Sequence, residues 1–374
     1  MTGVEIVGTG LFPFGRHGDT TATHMGAVAV REALREAGVD RVDAAFCGTA
    51  YGGVAAGHRV LAALGLTGGP IVDVEAGCAS GAAALGLAAT AIRAGQHRTA
   101  LVFGIEKMPK GVIRSSFFEP WREQAGLAAT PAYFALRAQR LLIDAGVTKR
   151  QLADVVVKNR ANGVDNPLAM FRKPVTAEEV LASRVVCEPL HLFMLCSPNE
   201  GAAAIVLRRS AGDGGVQVRA AALRSHQPGH VLDESSPLSG LVDADVVAPT
   251  TLAAQDAYET AGLGPDDLDL VECQDTDAAR ELLAYEELGL CAPGTCGDLL
   301  DSGATRLGGR LPVNPSGGLL SKGEPLGASG VAQFVEIAHQ LQGRCGARQV
   351  PDARVGLAQT VGRGANASVT LLSR

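Results

Sequence analysis

Apolar positions along the chain switch between a helical period and a strand-like run, and the switch occurs twice in the same order. In AVREALREAGVDRVDAAFCGTA, residues 29–50, helically spaced apolar residues end on Ala-Gly, an acidic turn follows, and AAFCG then predicts a short strand. The stretch AAQDAYETAGLGPDDLDLVECQDTD, 253–277, repeats helix, stop, acidic turn and strand. A second echo links GCASGAAALGLAATAIRAG, 77–95, with GASGVAQFVEIAHQLQG, 327–343. Each is a small-residue turn that opens a helix, followed by an apolar strand, TALVFG or ARVGLAQ.

Helices between strands in two similar halves predict two packed α/β units with mostly parallel sheets. The halves are expected at 1–230 and 231–374, with the seam between about 210 and 250. The stretch from about 110 to 200, with FFEPWREQ and NPLAMFRKP, has no counterpart in the second half and reads as an inserted, substrate-facing region.

Composition narrows the class. Apolar residues make up 47% of the 374 and charged ones 19%, which describes a packed, ordered protein. A net charge of −6 provides no broad cationic field for nucleic acid or an anionic membrane. MTGVEIVGTGLFPFG lacks the basic flank and apolar core of a signal peptide, so a cytoplasmic protein is expected. Residues 76–92 are nearly uncharged but short and Ala/Gly-rich, as suits a helix buried between sheets, and no membrane span is expected. The eight cysteines are scattered and expected to be reduced. Cys291 and Cys296 alone supply half a tetrahedral zinc site, and no metal is assigned.

Cys78 lies where the apolar strand IVDV gives way to the Gly/Ala-rich helix. The repeat sets CASG, 78–81, opposite GASG, 327–330, so the two helices are expected to meet by their N-terminal ends, with a cysteine on one of them. A thiolate at a helix N-terminus is stabilised by unpaired amides and the helix dipole. The Cys78 amide is also a candidate donor to a developing thioester oxyanion.

GCASG at 77, GIEKMPKG at 104, NPLAMFRKPVTAEEVLAS at 166, CSPNEGAAAIVL at 196, AYEELGLC at 284 and NPSGGLLSKGEPLGASG at 314 carry a resemblance. The chain resembles, from end to end, the thiolase superfamily, and within it the sterol-carrier-protein-type thiolases and lipid-transfer-like proteins. The resemblance implies a five-layered αβαβα fold, a homodimer, an acyl group carried on Cys78, and acyl-CoA or an acyl-carrier-protein thioester as substrate with no permanently bound cofactor. Gly327, Ser329, Gly362 and Gly364 are the positions it implies for holding the carrier.

The other loops depart from the family pattern. Where relatives carry Gly-His-Pro, this chain reads Gly323-Glu324-Pro325; where the sterol-carrier type has His-Asp-Cys-Phe, it reads Gln274-Asp275-Thr276-Asp277. In the last loop Gln359 stands where this branch often has histidine, and Gly362 where many thiolases have a second cysteine. His58 is a candidate base ahead of Cys78, and Asp275 and Gln274 are candidates in their loop. A free thiol titrates about four pH units above a glutamate, so Glu324 suits an acceptor's proton better than that of Cys78. The alternative is that Glu324 only caps the helix beginning near Leu326.

The leading expectation is acyl transfer from a thioester through Cys78 to a small acceptor. The alternatives are a Claisen condensation with Glu324 or Asp275 as base, a retro-aldol cleavage with a zinc-ribbon/OB-fold partner protein, and a non-catalytic acyl-binding scaffold.

Overall fold

The computed structural model describes residues 3–110, 121, 124, 130–212, 215–228, 246–362 and 366–374. The expected boundary at 230/231 lies outside the described residues, as do FFEP and Gly364. The first half runs β1 (Val4–Gly15), α1 (Ala22–Ala37), β2 (Ala44–Gly48), α2 (Ala56–Ala62), β3 (Ile71–Val74), α3 (Ser80–Arg93) and β4 (Thr99–Lys107). Then come α4 (Thr130–Asp144), α5 (Lys149–Gly163), α6 (Ala177–Ala182), a ribbon of β5 (Val185–Cys187) and β6 (Leu190–His191), and β7 (Glu200–Arg209). The second half comprises β8 (Val216–Ser225), α7 (Pro249–Ala261), β9 (Leu270–Cys273), α8 (Ala278–Glu287), α9 (Cys296–Asp301), α10 (Gly318–Lys322), α11 (Leu326–Leu341), β10 (Val355–Gly362) and β11 (Asn366–Ser373).

Local signals set these limits. Thr21 caps α1 by accepting from the His24 amide, and Gly38 ends the helix in the left-handed region. Gly262 ends α7 in the same way, and Thr148 with Gln151 forms a capping box on α5.

Apart from the β5-β6 ribbon, the strands form one sheet in the order β3-β2-β4-β7-β1-β8-β11-β10-β9. Its two ends repeat one topology. β2 pairs parallel with β3 and β4, and β7 runs antiparallel between β4 and β1. In the second half β9 pairs parallel with β10, β11 runs antiparallel between β10 and β8, and a parallel bridge from Val271 to Val313 stands where β3 would be. A short ladder of Glu5 with Gln217 and Ile6 with Val216 joins the halves.

Five layers result, in the order the resemblance implies. Met25 and Val30 of α1 pack on Phe103 and Val206 of the first half-sheet. Leu85 and Ile92 of α3, with Phe334 and Ile337 of α11, fill the middle between Val102 and Ile205 on one side and Val218 on the other. Ala253 and Ala257 of α7 cover Leu357, Val369 and Leu371 on the far side. Covered on nearly every side, α11 also buries Gln333, Glu336 and Gln340, each with polar partners, and each of its large buried apolar residues contributes about 1.5–3 kcal/mol. Close approach needs glycine: a Cβ at Gly104 would lie 2.0 Å from the Gly327 carbonyl oxygen.

No helix among the described residues is long and apolar enough to cross a membrane.

Candidate active site

Cys78 sits on a tight turn between β3 and α3. Gly77 takes a positive φ of 60°, and Ser80 braces the turn, its Oγ accepting from the Ala76 amide at 2.9 Å and donating to the Gly77 carbonyl at 2.5 Å. The side chain is 5% exposed and packs with Met108 and Leu326, the first residue of α11. The N-terminal ends of α3 and α11 thus meet around it, as the repeat leads one to expect. Gly362, at the end of β10, backs the turn so closely that a Cβ there would lie 2.1 Å from the Ala76 carbonyl oxygen.

Glu324 comes from the loop before α11 and is also 5% exposed. Its backbone is clamped, with its amide donating to Ser197 O at 2.9 Å and its carbonyl accepting from the Asn199 amide at 3.4 Å. Its carboxylate accepts from Gln274 Nε2 at 2.8 Å through Oε1 and from Cys196 Sγ at 3.2 Å through Oε2. The helix begins instead with Pro325 at its N-cap and no side-chain cap bond. The Glu324 side chain also lines the cavity that Cys78 lines.

Burial pushes the Cys196 thiol well above its ordinary range, reinforced by the charge and hydrogen bond of Glu324 and by the charges of Asp275 and Cys78. Cys196 remains a protonated donor at neutral pH. Gln274 is held in turn by the Gln359 side chain, which accepts from the Gln274 amide at 3.0 Å, and by the Val361 amide, which donates to Gln274 Oε1 at 2.5 Å.

The remaining sequence candidates fall elsewhere. Asp275 is fully buried and turned the other way, accepting from the Leu319 and Leu320 amides at 2.6 and 3.1 Å and from Asn159 at 2.8 Å. It ties down α10 and is not among the residues lining the cavity beside Cys78. Gln359 likewise lies behind Gln274 as a brace. His58 is exposed on α2 and lines no part of the cavity. Gly327 and Ser329 are buried within the middle layer, where the Gly327 amide donates to Glu106 and Ser329 Oγ to the Leu326 carbonyl, and neither is among the residues lining the cavity.

Cys78, Cys196, Gln274 and Glu324 all line one cavity of about 1070 Å³. Its walls come largely from the inserted region, with Phe134, Met170, Phe171, Val175, Val186 and Phe193 supplying apolar surface. Cations outnumber anions on the lining. Arg137 and Arg280 are neutralised by Asp277 and Glu287, whereas Arg172, Lys173 and Arg184 are exposed towards solvent. A largely apolar cavity with exposed cations on its lining suits a chain borne on a phosphorylated carrier. Sequence reasoning missed Cys196, although its motif was in view, and Arg160. A thiol and a cation in such surroundings carry no signal until the fold brings them to one surface.

A doubled β-α-β half-fold with a cysteine turn at the meeting of its two central helices defines a thiolase-type protein. Residues 4–211 match the thiolase N-terminal domain and 234–374 the thiolase C-terminal domain-like family. The chain belongs to the thiolase superfamily. It is 36% identical to the acetyl-CoA acetyltransferase of Methanothermobacter thermautotrophicus, over all of both chains. To human sterol carrier protein 2 it is 34% identical, over 98% of this chain and 71% of that one. Among solved structures the Ltp2-ChsH2(DUF35) aldolase superposes with a TM-score of 0.88 at 25% identity, covering 99% of this chain and 97% of that one.

Proposed function

We propose that this protein is an acyltransferase that moves an acyl group from a CoA or carrier-protein thioester, through Cys78, to a small-molecule acceptor. The carrying observation is that Cys78 and the Glu324 carboxylate, with its Cys196 and Gln274 donors, line one cavity. In the first step the Cys78 thiolate attacks the thioester carbonyl, a new C–S bond forms, and the carrier leaves as its thiolate and takes a proton. In the second, the acceptor attacks the acyl-enzyme, its proton passes to Glu324, and Cys78 is released. The acetyltransferase named among the relatives supports thioester chemistry, and the exposed cations on the cavity lining support a phosphorylated carrier.

Intact-protein mass spectrometry after incubation with acyl thioesters tests this. An adduct that maps to Cys78 and is absent from Cys78→Ala is expected; turnover by Cys78→Ala at the wild-type rate sinks the reading.

The likeness to an aldolase favours a second reading, retro-aldol cleavage with a zinc-ribbon/OB-fold partner. That reaction needs no adduct on Cys78 and appears only when the partner protein is added, so the same mass measurement separates the two.

A further inference from the structure

Four buried polar residues lie close together on α5, and three of them donate to polar partners, although Asn159 Oδ1 accepts from none. Lys158 donates to the Val313 carbonyl at 2.7 Å and pairs with Glu281 at 2.8 Å. Asn159 donates to Asp275 and Glu281 at 2.8 and 2.6 Å, and Asn162 to the Asn314 carbonyl at 3.0 Å. Arg160 is the exception. It is 8% exposed and lines the same cavity as Cys78. Its Nε has no hydrogen-bond partner, and among the described residues no carboxylate pairs with it. What it does have is aromatic: Cζ lies 4.0 Å from the Phe171 ring centre and 5.9 Å from that of Phe193.

A buried charge without a counter-ion is costly, and ring contacts offset only part of the cost. A guanidinium stacked on an aromatic face also keeps its N–H edge in place for a pair of oxygens. We propose that Arg160 binds a carboxylate on the substrate, so that the acyl chain or acceptor handled here carries a second, anionic end. Describing that ligand as part of a thioester reaction rests on the acyl-transfer reading; the carboxylate site itself rests on Arg160.

A phosphate of the carrier is the other oxyanion in reach, and the charge distribution argues against it. Arg172, Lys173 and Arg184 are exposed on the same cavity and suit a strongly hydrated polyanion, whereas Arg160 is enclosed where a small monoanion can shed its water. Burial pulls Arg160 down to about 10, so the group remains charged at neutral pH.

The test is binding to Cys78→Ala protein, which removes the covalent step. ω-Carboxyacyl pantetheines from succinyl to suberyl are compared by calorimetry with neutral acyl pantetheines of matching length, none of them carrying carrier phosphates. At least one carboxylated thioester is expected to bind about tenfold or more tightly than its neutral counterpart. Arg160→Gln should reduce that preference to within about twofold, while Arg160→Lys, which keeps the charge, should retain part of it.

The inference is overturned if no carboxylated chain is preferred, or if the preference survives Arg160→Gln. It is also overturned if Arg160→Gln weakens CoA thioesters relative to pantetheine thioesters whatever the acyl chain, since Arg160 then reads a carrier phosphate. A carboxylate preference in a protein that never forms the wild-type Cys78 adduct upholds the inference and removes the acyl-transfer reading.

Discussion

The Cys196 thiol donates to Glu324 Oε2 at 3.2 Å while the Gln274 amide holds Oε1 of the same carboxylate at 2.8 Å. Both donors fix the carboxylate among the residues that line the cavity. A carboxylate is a poor base for a thiol and an adequate one for an acceptor that becomes more acidic as it attacks. Glu324→Gln is therefore expected to leave loading of Cys78 intact and slow its discharge to acceptor by about 10²-fold or more. Single-turnover measurements of the two steps check this; collapse of loading instead would make Glu324 the activator of Cys78.

Gly362 forms the back wall of the Cys78 turn. A Cβ there would come within 2.1 Å of the Ala76 carbonyl oxygen, so the second cysteine of many thiolases does not fit at this position unless the turn moves. Gly362→Ala should slow acylation of Cys78 by about tenfold or more through displacement of the reacting thiol. Gly362→Cys should likewise fail to add activity. An alanine variant that loads at the wild-type rate would show that the turn is tolerant.

Glu106 joins the two halves. Buried on β4, it accepts from the amides of Ala50, Tyr51 and Gly327 at 2.9, 3.0 and 3.1 Å, the last at the start of α11. Glu106→Ala leaves these donors unpaired at about 1–3 kcal/mol each, so denaturant unfolding should show a loss of about 3 kcal/mol or more. Burial raises the Glu106 carboxyl above its ordinary value despite these bonds. A raised folded-state value means that this group's contribution to stability declines as pH rises from the ordinary glutamate range through the folded value. That slope should vanish in Glu106→Gln.

β3 ends the sheet, and among the described residues no strand pairs with its outer side. Val72 on it is 41% exposed, and Val54 nearby is 90% exposed. The edge carries one exposed acid, Asp73, beside the exposed Val72; unpaired and short, it is a template for a second copy, which would place the dimer seam just ahead of the Cys78 turn. Light scattering at micromolar concentration is expected to give twice the chain mass, and Val54→Glu with Val72→Lys to give the single mass. A wild-type monomer would remove the dimer.

The duplicated fold was legible because each half repeats its punctuation: an Ala-Gly stop, an acidic turn, and a small-residue turn opening the central helix. Cys78, Gln274 and Glu324 stand in separate motif loops of the sequence, and the fold brings all three to the lining of one cavity. Side-chain direction was not legible. Gln274 and Asp275 are neighbours just after β9, yet one lines the cavity and the other holds α10, as successive residues of an extended chain point to opposite sides. Arg160 reads in sequence as one more cation on a polar helix, and only Phe171 and Phe193, distant along the chain, set it apart.

The Cys196 thiol offers a direct probe of the charge on Glu324. Burial is the main cause of its upward shift, and the charge and hydrogen bond of Glu324 follow. Replacing Glu324 by Gln removes the second and third causes and leaves the first. In a Cys78→Ala background, the pH at which iodoacetamide modifies Cys196 should therefore move down in Glu324→Gln, while staying above that of a free thiol because the site remains buried. Peptide mapping after timed labelling across an alkaline pH series reads the shift. An unmoved profile would mean that Glu324 carries no charge beside Cys196, and its role as a base in the discharge step would fall with it.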